Sequence, residues 1–278
     1  MIDTFLARLQ QPQFGILFMT AVVSLLMATH WSPMAIPSLA LLGLCLLLPR
    51  IAARPITWWL MALAWFGALV LVPERMEDHV PLFTIWLVAL AVCLRRPADE
   101  FVAGATFQAR MLIGVTFSAA VGWKLYFGTY LNGVTLWTYM VADDRFQPLA
   151  AAVGLSEEAI ETTRHALSRL LSGTETAVPL EASALTVSAI VVVSVLTLVL
   201  EAIIALSHLA PDSSRLAHLR LPSIVVFGVA TYGTVPVLPF AVLLALLAMT
   251  VGHWRREVLW VLPAFMVVIA TRVAFLAF

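Results

Sequence analysis

The chain has 278 residues, of which 62% are hydrophobic and 12% are charged. A soluble domain carries about twice that share of charged residues, so the composition excludes a water-soluble globule and a disordered chain. The 16 basic and 16 acidic residues cancel, which leaves no net charge to attract nucleic acid. Long apolar runs recur from end to end and predict a helical protein that crosses the membrane several times.

Nine apolar segments predict membrane spans, because backbone polar groups in lipid must be satisfied within a helix. These segments are 13–30, 34–48, 56–72, 81–94, 107–127, 184–208, 221–233, 236–251 and 258–276. The stretch 221–251 is broken by Pro236, so it either crosses twice or forms a re-entrant hairpin. We therefore predict an all-α transmembrane bundle of eight or nine spans, with residues 1–278 forming a single transmembrane domain.

The charges alternate in sign from one predicted connection to the next. The arginines of alternate connections are Arg50, Arg54, Arg95, Arg96, Arg215, Arg220, Arg255 and Arg256. Acidic residues are concentrated in the long connection 128–183. Because arginine-bearing connections stay in the cytoplasm, the N-terminus is predicted to be cytoplasmic and 128–183 extracytoplasmic. We expect a multi-pass protein of the cell (inner) membrane.

The connection contains one amphipathic segment, residues 156–171. Ser156 is predicted to cap a helix whose first turn carries Glu157 and Glu158, and Gly173 follows its end. Such a helix either rests on the surface of the bundle or forms a mobile lid over a site, and the first alternative is favoured.

Lys124 is the only lysine among the sixteen basic residues. It lies near the outer end of the fifth predicted span, where a cation must either extend to the interface or face a polar cavity. Burial disfavours the charged form of an amine, and a neutral amine can act as a base. We predict that Lys124 faces an internal polar cavity open toward the outer side. Its predicted neighbours are Tyr126, Tyr130, Asn132 and Tyr139.

Glu201 is the acidic residue within the sixth predicted span. It lies toward the inner side, so its predicted depth differs from that of Lys124 by about 15–20 Å. We therefore expect no direct ion pair between them, and instead expect Glu201 to meet His208 or an arginine, or to stay protonated. Structural packing is the favoured role.

Two further patterns concern helix packing and metal binding. Gly114, Ser118 and Gly122 recur at four-residue intervals, which predicts a face along which another helix packs closely. The six histidines have no spacing typical of metal ligands, so no metal site is predicted.

The region from the fifth span onward resembles the vitamin K-dependent gamma-carboxylase-related family, also called horizontally transferred transmembrane (HTTM) proteins. The similar features are a small-residue helix ending at 124–125, the aromatic-containing segment 130–133, the loop 143–146 and Glu201. The similarity covers roughly residues 107–251. It is typical of bacterial members that consist of the membrane domain only.

The resemblance implies a role for Lys124 and a class of cofactor. In the carboxylases the matching lysine deprotonates vitamin K hydroquinone, whose oxygenation product then removes a proton from peptidyl glutamate. Lys124 is then the catalytic base, and Tyr126, Tyr130, Asn132 and Glu201 are candidates for binding a quinone. The cofactor is otherwise unknown. The expected partners are the lipid bilayer and either a small secreted peptide or a membrane complex.

The sequence also departs from the family pattern. Trp123 stands where the carboxylases have a second lysine, and Gly228 stands where a histidine is usual. We expect no large lumenal region that would hold a peptide substrate. Two hypotheses stay open: an enzyme or maturation factor that uses Lys124 as an extracytoplasmic base, and a non-catalytic membrane subunit that scaffolds a partner complex or binds lipid or quinone. The departures slightly favour the second.

Overall fold

The computed structural model describes residues 7–28, 32–72, 79–173, 182–232, 235 and 237–252. Every regular element in these ranges is a helix, which confirms the all-α prediction for the described part of the chain. Ten of the helices have nine or more residues: α1 (Pro12–Ala28), α2 (Ala35–Leu47), α3 (Pro55–Leu71), α4 (His79–Cys93), α5 (Ala98–Phe127), α6 (Val134–Ala142), α7 (Glu157–Leu171), α8 (Ala184–Leu209), α9 (Arg220–Tyr232) and α10 (Leu238–Val251). Short helices also occupy Pro49–Ala52 and Gln147–Ala152.

The predicted segments coincide with helices wherever the structure describes them. The largest difference is at α5, which begins at Ala98 and not near residue 107. Its first turn carries Asp99 and Glu100, which stabilise a helix N-terminus. Because these residues are charged, a search for apolar runs does not detect the start of α5. The predicted span 258–276 lies outside the described residues.

Helix α10 occupies the centre of the bundle. It contacts α1, α4, α5 and α9, and residues 241–250 are all buried. A helix that is hydrophobic on every side is stable only when neighbours surround it, so the composition of α10 accounts for its position.

Buried polar side chains link the helices that pack around this centre. The Ser24 and Ser38 hydroxyls lie 2.9 Å apart, and the Trp65 indole N–H donates to Ser24 Oγ at 3.1 Å. The Trp86 indole N–H donates to Thr20 Oγ1 at 3.1 Å. Hydrogen bonds of this kind between apolar helices join α1 to α2, α3 and α4.

Several outer helices present apolar side chains to their surroundings. On α3 these exposed residues are Ile56, Leu60, Leu63, Phe66 and Val70. On α8 they are Leu185, Val192, Leu196, Val199 and Leu206. Among the described helices, α8 alone is long and apolar enough to cross a membrane by length and composition, whereas α1 to α4 and α10 are apolar helices of 10–17 residues.

The connection between α5 and α8 has a small hydrophobic core of its own. It includes Trp137 and Met140 of α6, Ile160 of α7 and Ile190 near the start of α8. Helix α7 is the predicted amphipathic helix, and the Ser156 hydroxyl caps it by accepting a hydrogen bond from the Ala159 N–H at 3.2 Å. It packs against α6, so the described contacts of α7 lie within the connection.

The turn between α8 and α9 is held by ionic contacts. Asp212 accepts hydrogen bonds from Arg110 of α5, at 2.8 Å, and from Arg220 of α9. The hydrogen bond from Arg220, together with the charges of both arginines, holds the pKa of Asp212 below its usual range. This turn therefore joins the end of α8 and the start of α9 to the middle of α5.

Helices α5 and α8 approach closely at Gly114. A Cβ atom at this position would lie 2.7 Å from Leu209 Cδ2, whereas a Cβ atom at Gly122 would meet nothing within 4 Å. The predicted small-residue face is thus used at Gly114 and not at Gly122.

We expect Gly114→Val to destabilise the protein relative to Gly122→Val by about 1–3 kcal/mol, the usual effect of forcing extra methyl groups into a packed contact. Both variants place the same β-branched residue within α5, so the comparison isolates the contact with Leu209. Thermal unfolding in detergent, followed by tryptophan fluorescence, measures the difference. Equal stabilities would show that α8 does not pack on Gly114.

Candidate functional site

Lys124 and Glu201 form an ion pair between α5 and α8. The Lys124 Nζ donates a hydrogen bond to Glu201 Oε1. The Lys124 side chain is 20% exposed and that of Glu201 is 7% exposed, so the pair is largely removed from solvent. The expectation that these two residues do not meet was wrong.

The error came from the assumed register of the two helices. They run antiparallel, with Gly114 beside Leu209 at one end and Lys124 beside Glu201 further along. Glu201 is about 25 Å along α8 from Ala184, whereas Lys124 is one turn from the end of α5. The two residues meet because the first turns of α8 extend past the end of α5. These first turns of α8 pack on the connection through Ile190 and not on α5.

The chain reversal after α5 brings Tyr130 against Lys124. Gly128 ends α5 with φ +68° and Gly133 begins α6 with φ +80°, left-handed conformations that glycine adopts without strain. In the turn between them, the buried Tyr130 ring lies with its centroid 4.5 Å from Lys124 Nζ. An aromatic face at this distance stabilises a charged ammonium group.

Gly133 also allows the turn to lie directly on α8. A Cβ atom there would be 3.0 Å from Ile190 Cγ2. The neighbouring Asn132 side chain is exposed and accepts a hydrogen bond from the Val134 N–H at 3.1 Å, a contact typical of a turn residue. Asn132 and Tyr126, which is 82% exposed, do not line the cavity beside Lys124.

Lys124 lines a cavity of about 600 Å³, as predicted. The cavity is lined by residues of α5, α6, α8, α9 and α10, and of the segments between them. Its aromatic lining residues are Tyr130, Tyr139, Phe146, Phe227, Tyr232 and Phe240. Contrary to the expectation of a polar cavity, most of its lining residues are apolar, and Lys124 and Glu201 are the only charged residues among the described ones that line it.

The lining residues of α9 and α10 were not identified from the sequence. Phe227, Tyr232 and Phe240 are far from Lys124 along the chain and reach it only through tertiary packing. Thr197 was also missed, although it lies four residues before Glu201 and so on the same face of α8. The four-residue spacing from Glu201 could have identified Thr197 as a lining residue.

Glu201 has one carboxylate oxygen without a partner. Oε1 accepts the hydrogen bond from Lys124, whereas Oε2 is buried and has no hydrogen-bond partner among the described residues. Ser194 and His208, two turns before and after Glu201 on α8, are also fully buried. Only Glu201 of these three lines the cavity.

The segment 143–146 positions one wall of the cavity. Phe146 stacks on Tyr139 with ring centroids 5.5 Å apart. Asp143 accepts hydrogen bonds of 2.7–3.0 Å from Arg145, which lower the pKa of Asp143. Arg164 of α7 donates to the Val141 carbonyl at 2.7 Å and to Asp144. These contacts hold the segment in place behind Phe146.

A second cavity, of about 660 Å³, lies at the surface between the short helix Gln147–Ala152 and α7. Its lining includes Glu157, Glu158 and Glu161, which are all exposed. None of its lining side chains has a buried polar atom without a partner. Within the described ranges, no three His, Cys, Asp or Glu side chains are grouped so that they could hold a metal ion.

No protein-family model matches the chain, and neither the curated proteins nor the solved structures include a match to it. The resemblance to the gamma-carboxylase-related family therefore stays a hypothesis.

Proposed function

We propose that the protein is an integral membrane protein that binds a lipophilic, hydroxyl-bearing ring compound in the apolar cavity and takes a proton from it through the Lys124–Glu201 pair. The observation behind this proposal is the position of the pair. Two opposite charges line a cavity of about 600 Å³ whose other described lining residues carry no charge.

The apolar outer faces of α3 and α8 support a location in the bilayer. Contiguous exposed apolar surface is unfavourable in water, whereas acyl chains cover it without cost. Under this proposal the bundle has eight or nine spans, some of them short, with the N-terminus cytoplasmic and residues 128–183 outside. The interhelical hydrogen bonds around Thr20 and Ser24 are of the kind that join helices in lipid.

The cavity fits a ring-shaped ligand. Its volume lies within the range of about 300–1,000 Å³ that is typical of small-molecule sites. Six aromatic side chains surround it, and aromatic rings favour stacked or edge-on contacts with other rings. Leu196 and Tyr139, at its edge, are 61% and 50% exposed, so a ligand dissolved among the acyl chains would reach the cavity beside α8.

The ion pair supplies the proton chemistry. A low-dielectric cavity penalises charged groups, which brings the neutral amine–carboxylic acid pair closer in free energy to the charged pair than it is in water. When Glu201 takes the ammonium proton, Lys124 becomes a neutral amine that can accept the proton of a ligand hydroxyl. The resemblance implies that this ligand is a vitamin K-type hydroquinone.

A second candidate function is binding without turnover, in a membrane subunit that holds quinone or lipid for a partner complex. The described lining of the cavity includes no histidine, and Gly228, in the place of the family histidine, is buried in α9. A site without a further proton carrier would retain the ligand and not process it.

Ligand binding to the purified protein tests the proposal. We expect 1-naphthol to bind in nanodiscs, and expect Ala230→Trp, which fills the cavity from α9, to abolish most of this binding. Val229→Trp is the matched control, because Val229 is exposed on α9 as Ala230 is but does not line the cavity. Equilibrium dialysis against empty nanodiscs corrects for partition into lipid. Binding that survives Ala230→Trp would show that the cavity is not the site.

A further inference from the structure

We infer that Glu201 contacts the ligand directly through Oε2 and selects ligands whose polar group donates a hydrogen bond. This inference rests on the proposed function, since it concerns the same cavity. It makes Glu201 a specificity-determining residue in its own right, in addition to its pairing with Lys124.

Oε2 of Glu201 is a buried acceptor without a hydrogen-bond partner among the described residues. A buried acceptor without a donor is unfavourable, and native proteins satisfy nearly all such groups. Glu201 is 5% exposed, so bulk water does not satisfy Oε2. Glu201 also lines the cavity, which is the space from which a donor can arrive.

The hydrogen bonds of the described neighbouring side chains leave Oε2 without a donor. Lys124 donates to Oε1 and keeps further N–H donors for a ligand oxygen, and the Thr197 hydroxyl, one turn away, donates to the Val193 carbonyl at 2.9 Å. A ligand hydroxyl group can therefore donate a hydrogen bond to Oε2.

The charge of the Lys124–Glu201 pair also restricts which polar groups the cavity accepts. The carboxylate of Glu201 and the ammonium of Lys124 cancel, so the cavity offers no net attraction to an anionic headgroup, and Oε2 repels one at close range. Before any proton moves, while the pair is charged, a neutral hydroxyl suits both groups, because it donates to Oε2 while its oxygen accepts from the Lys124 ammonium. A quinone carbonyl or an ether has no proton to donate. The site is thus expected to favour a hydroquinone over its quinone.

An air-stable pair of probes tests this directly. We use 1-naphthol and 1-methoxynaphthalene, which share the same ring system and differ in whether the oxygen carries a proton. We expect the wild-type protein in nanodiscs to bind 1-naphthol about 10- to 100-fold more tightly, as is typical when a hydrogen bond to a charged group is lost. Partition of each probe into empty nanodiscs is subtracted.

Two variants assign the preference to Glu201. Glu201→Gln keeps the shape but replaces a charged acceptor oxygen with an N–H donor, so the preference for 1-naphthol should fall by about tenfold, the difference between a hydrogen bond to a charged group and one to a neutral group. Lys124→Met/Glu201→Leu removes both charges and guards against misfolding caused by an unpaired lysine. This double variant should bind 1-naphthol and 1-methoxynaphthalene equally. Ser194→Ala is the control, since Ser194 is buried two turns away on α8 outside the cavity lining.

The outcomes of these binding measurements distinguish the role of Glu201 from the proposed ring-binding function. A strong preference that Ser194→Ala keeps and Glu201→Gln loses supports the inference. Tight wild-type binding of both probes to the cavity, without preference, overturns the inference and leaves the proposed ring-binding function intact. Failure of the wild-type protein to bind either probe overturns the proposed function itself.

Discussion

Removing one partner of the buried ion pair should destabilise the protein more than removing both. We expect Lys124→Met to lower the free energy of unfolding by about 3–5 kcal/mol, because the Glu201 carboxylate is left uncompensated in an apolar cavity. Glu201→Leu should have a similar effect by leaving Lys124 unpaired. The double variant should recover most of the loss, since two apolar side chains of similar size need no partner.

A double-mutant cycle in detergent, with unfolding followed by tryptophan fluorescence, measures this coupling. Arg145→Met is the control, because it breaks the pair with Asp143 at an arginine that is 50% exposed, and such pairs contribute about 0.2–1 kcal/mol. Simple addition of the two single losses in the double variant would show that Lys124 and Glu201 do not interact.

Lys124→Arg should separate ligand binding from proton removal. Arginine can still pair with Glu201, so we expect folding and 1-naphthol binding to change little. It stays protonated in proteins, however, so it cannot act as a base. If the protein deprotonates hydroquinones, oxygen uptake in the presence of a naphthohydroquinone should be stimulated by the wild-type protein and abolished by Lys124→Arg.

An oxygen electrode records this uptake with reconstituted protein, and Ala230→Trp serves as a control in which the cavity is filled. Stimulation that persists in Lys124→Arg would contradict the role of Lys124 as the base. Ligand binding without any stimulation by the wild-type protein would favour the non-catalytic subunit.

The helices were predictable because their signal is local. Apolar runs such as those of α3 and α8 exceed the length of a strand, and each must satisfy its own backbone polar groups if it lies in lipid. The start of α7 was equally local, since Ser156 and the acidic residues after it act within one turn. The start of α5 was missed because its first turns are polar.

The site was only half predictable. Lys124 was identifiable because no other lysine is present in the sequence. Its partner was not, since the pairing with Glu201 depends on how far α8 extends past α5, and that offset is set by tertiary contacts between α8 and the connection. The walls contributed by Phe227 and Phe240 likewise depend on the packing of α9 and α10, which hydropathy does not encode.

Photoaffinity labelling tests the proposed ligand site most directly. A naphthol that carries a diazirine, reconstituted with the protein in liposomes and irradiated, should label residues 193–201 of α8 and Tyr139. Excess 1-naphthol and the Ala230→Trp substitution should each suppress this labelling. Labelling confined to the exposed apolar face of α3, and unaffected by excess 1-naphthol, would show that the probe only dissolves in the lipid around the protein and that the cavity beside Lys124 and Glu201 does not bind it.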